Sequence, residues 1–278
     1  MSTVLPISCL FDPGYSTSFT FFAGNFYLWD MSQDDNIYIG SSLTNLVPTS
    51  LALQPNRASG STIVFNNRIY VLDTVNQNGA VRYTVDGANW SAVNLNGPSG
   101  YPQFVLLGSV VFALYSSPIN DFYSTTDMVS WSTITSNLPF AGSSLYYYAV
   151  LGAKIFAFPN DDLHTAVYSS VDGATWVVET LDWGLGPLRE YSIFVYNSVF
   201  YMIGGHHLTY ATDYKTSSDG KSWTTVTQSP SFPGRGLCQA YVNSSGLYSI
   251  GGANAGTGAD QVWFVQASPY PPVTKRSL

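Results

Sequence analysis

Few groups in this chain could do covalent chemistry. Of 17 acidic residues only two are Glu, Glu179 and Glu190, and there are three His. Cleaving a glycosidic bond needs two carboxylates flanking it. Glu190 and loop aspartates could supply them, whereas Glu179 falls in a predicted strand after Trp176. Asp161, Asp162 and His164 form one polar loop, and His206, His207 and Asp213 another. They would make a metal site only if adjacent repeats brought them together, and their spacing matches no ligand motif. His206 and His207 are sequence neighbours, so in a strand they face opposite ways. Asp34 and Asp35 offer too few oxygens for Ca²⁺. The glycine-rich stretch Gly251–Gly258 precedes no helix pattern, so it lacks the physics of a dinucleotide loop and is expected to be a hairpin. No Gly-x-Ser-x-Gly elbow occurs. The expectation is a protein with no catalytic set, no metal and no cofactor.

Binding chemistry is better supplied. Trp183, Tyr101, Tyr115, Phe122, Tyr210 and Tyr270 fall in predicted loops. Rings with few charges around them suit sugar stacking or a protein interface, or they fill gaps between structural units. Arg57, Arg189 and Arg235 recur at similar positions in their repeats. The candidate ligand-binding residues are therefore Trp183, Tyr101, Tyr115, Tyr210, Arg57, Arg189 and Arg235.

These residues are positioned by an internal repeat. Four segments end in Asp86-Gly-Ala-Asn-Trp90, Asp127-Met-Val-Ser-Trp131, Asp172-Gly-Ala-Thr-Trp176 and Asp219-Gly-Lys-Ser-Trp223. A decayed copy spans Tyr38–Leu46. Alternating residues before each Asp read as a strand, Asp-Gly is a hairpin turn, and the carboxylate can accept backbone N–H groups. The Trp then starts another strand and can pack inward. A second hairpin precedes each copy, as in Ser61–Phe65, Asn66-Asn67 and Arg68–Leu72. The result is six units of four strands, about 45 residues each, which is the period of a β-propeller blade. The expected fold is all-β: a single six-bladed propeller over 1–278. Its blades are approximately 17–58, 59–100, 101–143, 144–187, 188–233, and 234–270 with 1–14. Ser2–Gly14 resembles the fourth-strand segment Trp223–Gly234, so the N-terminal strand is expected to complete the last blade and remove a free edge. Val273–Arg276 is the alternative. With the N-terminal strand as that edge, Cys9 on the outermost strand and Cys238 on the innermost would lie about 14 Å apart, too far for a disulfide.

Composition agrees with this architecture. Only 10% of the 278 residues are charged, with four Lys and two Glu, so a helical bundle is excluded in practice. Tyr 20, Phe 16, Gly 24 and Pro 15 favour strands and tight turns. A net charge of −7 argues against binding a nucleic-acid backbone. Met1–Phe11 has no secretory pattern, and Phe104–Tyr115 is too short and interrupted to cross a bilayer. Asn89-Trp-Ser and Asn243-Ser-Ser are glycosylation sequons, meaningful only in a eukaryotic secretory setting.

The Asp-to-Trp hairpins resemble the Asp-box repeats of sialidase-type propellers, and the preceding hairpins resemble kelch repeats. Kelch units carry an Arg, then a Tyr and a Gly pair. Arg189 with Tyr201 and Gly204-Gly205, and Arg235 with Tyr248 and Gly251-Gly252, follow that pattern, whereas Arg57 with Tyr70 lacks the Gly pair. The first, third and fourth units lack both Arg and Gly pair. The resemblance implies that Asp86, Asp127, Asp172 and Asp219, with Trp90, Trp131, Trp176 and Trp223, are structural and lie on the face away from any ligand. Sialidases also need three arginines, a Tyr with a Glu partner and an Asp acid. The three arginines here occupy the kelch position, which points to a structural role instead. The expected function is a non-enzymatic binding or assembly propeller, in the setting of a bacteriophage particle as head decoration, tail or receptor-binding protein. Its partners would be a cell-surface glycan or neighbouring virion subunits. It would be located in the virion or outside cells, and in the cytoplasm only during assembly. A homo-oligomer is a further option. A sialidase-like glycosidase and a free lectin are the alternatives.

Overall fold

The computed structural model describes residues 4–5, 17–30, 37–42, 46–49, 62–73, 80–93, 102–114, 121–135, 146–226, 234, 236, 239–243, 246–250, 253–254, 257–258 and 262–266. A short strand, β1 (Val4–Leu5), comes first. Then β2 (Thr17–Phe22), β3 (Asn25–Asp30), β4 (Ile37–Gly40) and β5 (Val47–Thr49) form one antiparallel meander. The same pattern follows with β6 (Thr62–Phe65), β7 (Arg68–Asp73), β8 (Ala80–Thr84) and β9 (Ser91–Val93). It recurs in β10 (Gln103–Leu107), β11 (Val110–Leu114), β12 (Asp121–Thr125) and β13 (Ser132–Thr135). Next are β14 (Tyr146–Leu151), β15 (Lys154–Pro159), β16 (Val167–Ser170) and β17 (Val177–Thr180). The last contiguous unit is β18 (Arg189–Tyr196), β19 (Val199–His206), β20 (Tyr214–Ser217) and β21 (Thr224–Val226).

The expected count of six units of about 45 residues is corrected here. Five blades are built from four consecutive strands each. What remains is a composite sheet of β22 (Gln239–Asn243), β23 (Gly246–Ile250), β26 (Val262–Gln266) and β1. Between β23 and β26 a separate two-stranded hairpin, β24 (Ala253–Asn254) with β25 (Thr257–Gly258), is inserted. The composite sheet has no Asp-to-Trp turn, and its outer strand pairs only Val4 with Trp263 and Leu5 with Val262. The N-terminal segment therefore supplies that edge. Its first strand, β22, touches both β18 and β2, so the sheet lies between the fifth blade and the first. Val273–Arg276, Cys9 and Cys238 lie outside the described residues. Among the described residues no helix is long and apolar enough to cross a membrane.

The core sits between blades rather than within them. One cluster joins Val105, Phe112 and Phe122 of the third blade to Tyr148 and Ile155 of the fourth. Another joins Phe156 and Phe158 of the fourth to Tyr191 and Phe200 of the fifth. Facing sheets interlock through large rings, and Phe122 meets Tyr148 edge-on at 6.2 Å. Phe122, expected in a loop, is fully buried in β12.

The turn glycines lock neighbouring blades. Gly87, Gly173 and Gly220 all adopt positive φ, at 76°, 73° and 75°. A Cβ on Gly87 would collide with the Tyr27 ring, and one on Gly173 would lie 2.8 Å from Phe112 Cε1. On Gly220 it would lie 3.2 Å from Phe156 Cδ1. Tyr27, Phe112 and Phe156 hold the same place in the second strand of the preceding blade. In the third blade Met128 takes the glycine position at φ 64°, fully buried in a cluster with Tyr70. Gly173→Ala is expected to destabilise the protein by about 2–4 kcal/mol, through the left-handed backbone and the clash. Urea unfolding measures this, and a loss under about 0.5 kcal/mol, the usual range of a surface change, would refute the lock.

Candidate functional site: the polar end of the fourth and fifth blades

The two ends of the blades differ in chemistry. At one end lie the Asp turns, and they are self-contained. Ser170 Oγ donates to Asp172 Oδ1 at 3.0 Å and accepts from Gly173 N at 2.9 Å. Asp172 Oδ1 accepts from Ala174 N and Thr175 N, both at 2.8 Å. The pattern repeats at Thr84 with Asp86, Thr125 with Asp127 and Ser217 with Asp219. Backbone N–H groups hold Asp172 and Asp127 below the usual carboxylate range, and Asp86 further still. Trp90 and Trp176 are buried, and Trp176 Nε1 donates to Gly173 O. Trp131 packs against the Phe104 ring at 6.0 Å, and Trp223 lies 5.9 Å from Phe158.

Glu179 is bound up as well. It lies in β17, where Lys154 Nζ donates to Oε1 at 2.7 Å and Ser169 Oγ does the same. Lys221 Nζ approaches Oε2 at 3.4 Å. Those donors pull its carboxyl from an ordinary 4.5 to about 2.

The opposite end is where β15 and β19 finish and β18 begins. There Asn160–His164, the start of β18 and the β19–β20 hairpin come together. Asp161 bridges to Leu188, and Asn160 Oδ1 accepts from Glu190 N at 2.7 Å. Arg189 is the hub. Its Nη1 lies 3.3 Å from Asp162 Oδ2, its Nη2 3.4 Å from His206 Nδ1, and its Nε 3.8 Å from Glu190 Oε1. The Nε atom is buried with no hydrogen-bond partner among the described residues. Glu190 sits at φ 62°, a left-handed conformation costly for a residue with a Cβ. Tyr210 bridges back to His206, their ring centroids 4.7 Å apart. Gly236 completes the floor: a Cβ there would lie 2.6 Å from Glu190 Oε2 and 3.0 Å from Tyr210 Cε1.

This grouping joins candidates that the sequence left in separate loops. Arg189, Tyr210, Glu190, Asp162 and His206 meet, and only the blade register brings them together. His164 and Asp161 pair locally at 2.8 Å, and Asp213 pairs with Lys215 at 2.7 Å. Among the described residues no group of three or more His, Cys, Asp or Glu could hold a metal. Arg57, Arg235, Tyr101, Tyr115, Tyr270, Asp34 and Asp35 lie outside the described residues.

Of the two roles open to Trp183, sugar stacking or filling a gap between structural units, its burial fits the second: it is 1% exposed. Its Nε1 donates to Gly186 O at 2.7 Å, its backbone N to Thr165 O, and its ring packs on Tyr191 and Phe158. The loop folds inward because Gly184 and Gly186 take positive φ.

The fold that carries this end is a β-propeller. A family model, the DUF6242 β-propeller domain, matches residues 22–266, and the chain belongs to that family. In fold it is similar to the solved structure of YjhT, with a TM-score of 0.67 at 12% identity over 93% of this chain and 94% of that one. At that identity the likeness shows the fold alone. No curated protein matches the chain.

Two outcomes follow. Trp183→Ala is expected to cost about 3–5 kcal/mol of stability, read from thermal or urea unfolding; an unchanged midpoint would place the ring outside the core. Glu179 contributes stability above pH 4.5 that is lost as pH falls toward 2. Glu179→Gln should flatten the unfolding free energy over that window and lower it by about 1 kcal/mol at neutral pH. Urea titrations across that pH range read both effects.

Proposed function

We propose that this chain is a non-enzymatic recognition or assembly propeller of the Asp-box type, with kelch-like first hairpins. Its partner-facing surface is the Arg189 end. The carrying observation is the contrast between the ends. Each aspartate of one end commits its Oδ1 to its own turn. At the other end the Arg189 guanidinium side chain, 42% exposed, makes only long ion pairs among the described residues, beside a carboxylate held in a strained conformation. Leu163, Leu181 and Leu208 extend this end with exposures of 81%, 76% and 84%. Apolar rims beside polar groups are common at recognition surfaces. Low charge and abundant aromatics support a setting on a particle or cell surface, such as a bacteriophage virion. A cell-surface glycan or a neighbouring subunit would be its partner.

The labelled protein is expected to bind whole bacterial cells or a glycan array saturably. Arg189→Gln should abolish binding, while Val171→Ser, at the Asp-turn end, should leave it intact. Equal loss in both variants would overturn the assignment of the face. A panel of chromogenic glycosides tests the hydrolase alternative: turnover that disappears in Glu190→Gln would replace this reading with a glycosidase.

A further inference from the structure

We infer that the Arg189 cluster is a seat for a neutral pyranose, bound through a pair of adjacent hydroxyls. This rests on the reading of that end as the recognition face and gives its ligand a chemical class. A sugar hydroxyl both donates and accepts, and two vicinal hydroxyls match the fork of a guanidinium or a carboxylate. Arg189 lies between two such carboxylates, Asp162 and Glu190, at 3.3 and 3.8 Å. Direct charge-assisted bonds run at about 2.7–2.9 Å. The pairs are therefore loose, and the guanidinium side chain, 42% exposed, keeps donor capacity for a ligand. A hydroxyl oxygen entering beside Arg189 accepts from the open Nη edge of the guanidinium and donates to Glu190.

Charge selects the class of sugar. One guanidinium faces two carboxylates here, within a chain of net charge −7. A carboxylated or sulfated sugar would meet a local excess of negative charge, whereas a neutral one carries no such penalty. The apolar face of the sugar also has a surface to meet. Tyr210 is half-buried, with His206 behind it at 4.7 Å and Gly236 against its edge. The ring is thereby fixed before any ligand arrives, which lowers the entropy lost on binding. Asn160 is a positioning residue: it accepts the Glu190 N–H and holds the left-handed backbone that aims the carboxylate.

The test uses the full chain against arrays of neutral gluco-, galacto- and manno-configured oligosaccharides, with carboxylated and sulfated counterparts. Hits are measured by calorimetry at low and high salt. The expected result is binding to neutral sugars that hardly changes with salt. Tyr210→Ala and Arg189→Gln should each weaken it at least about tenfold with an unchanged unfolding midpoint. Arg189→Lys, which keeps the charge but not the fork, should weaken it similarly and guards against a folding defect in Arg189→Gln. Binding confined to acidic sugars, or falling steeply with salt, overturns the inference. So does neutral-sugar binding that survives all three variants. If no free sugar binds while Arg189→Gln still abolishes attachment to cells, the sugar seat fails and the recognition face stands. If the variants affect neither, both fail.

Discussion

The contact between each Asp-capped turn and an aromatic ring of the blade before it is the constraint on which the structure depends. A hairpin turn with positive φ brings backbone, without Cβ, against Tyr27, Phe112 or Phe156. The carboxylate and the Ser or Thr two residues before it hold that turn in shape by accepting its N–H groups. Neither half works without the other. An uncapped turn would leave amides unsatisfied, and a side chain of the wrong shape would push the blades apart. Met128 shows the tolerance: a flexible thioether can replace glycine where the facing cluster leaves room for it.

The same arrangement divides the molecule chemically. Aspartates that cap turns are held ionised, with Oδ1 committed to the turn, so they are poor acids. At the other end loops are longer and blades contribute one or two side chains each. That end of the fourth and fifth blades is the only described place where guanidinium, carboxylate, imidazole and phenol meet. Its strain is local, confined to Glu190, and the surrounding backbone supports it through Asn160.

The repeat was legible in the sequence because turn chemistry and strand alternation are local properties. Asp86 to Trp90 and its copies announce a hairpin wherever they occur, and the structure has one at each. The composite sheet was legible in part. The likeness of Ser2–Gly14 to a fourth strand pointed to β1, but the departure of this sheet from the repeat made a uniform count misleading. The two roles open to Trp183 could not be separated from sequence, because what decides between them is the inward turn that Gly184 and Gly186 permit at positive φ. The Arg189 cluster could not be read at all as a cluster. It depends on the register that sets Arg189 opposite His206 and on the packing that sets Asn160 beside Glu190, and both span tens of residues. The left-handed Glu190 left no signal, since neither Gly nor Asn marks that position.

Closure of the ring and shaping of the site are linked. Gly234 and Gly236 lie on the path from the fifth blade into the composite sheet. A Cβ on Gly234 would meet Tyr210 O at 2.5 Å, and one on Gly236 would meet Glu190. Gly234 and Gly236, which precede β22, therefore form one wall of the polar end, against Tyr210 and the Glu190 carboxylate. β22 in turn is held in a sheet whose outer edge comes from the N-terminal strand. Loss of that edge would loosen the sheet and, through Gly236, the wall. The part of the fold that departs most from the repeat is thus the part that completes the arrangement around Arg189. Four turns of one design make the scaffold, and the irregular join gives one sector of it a chemistry of its own.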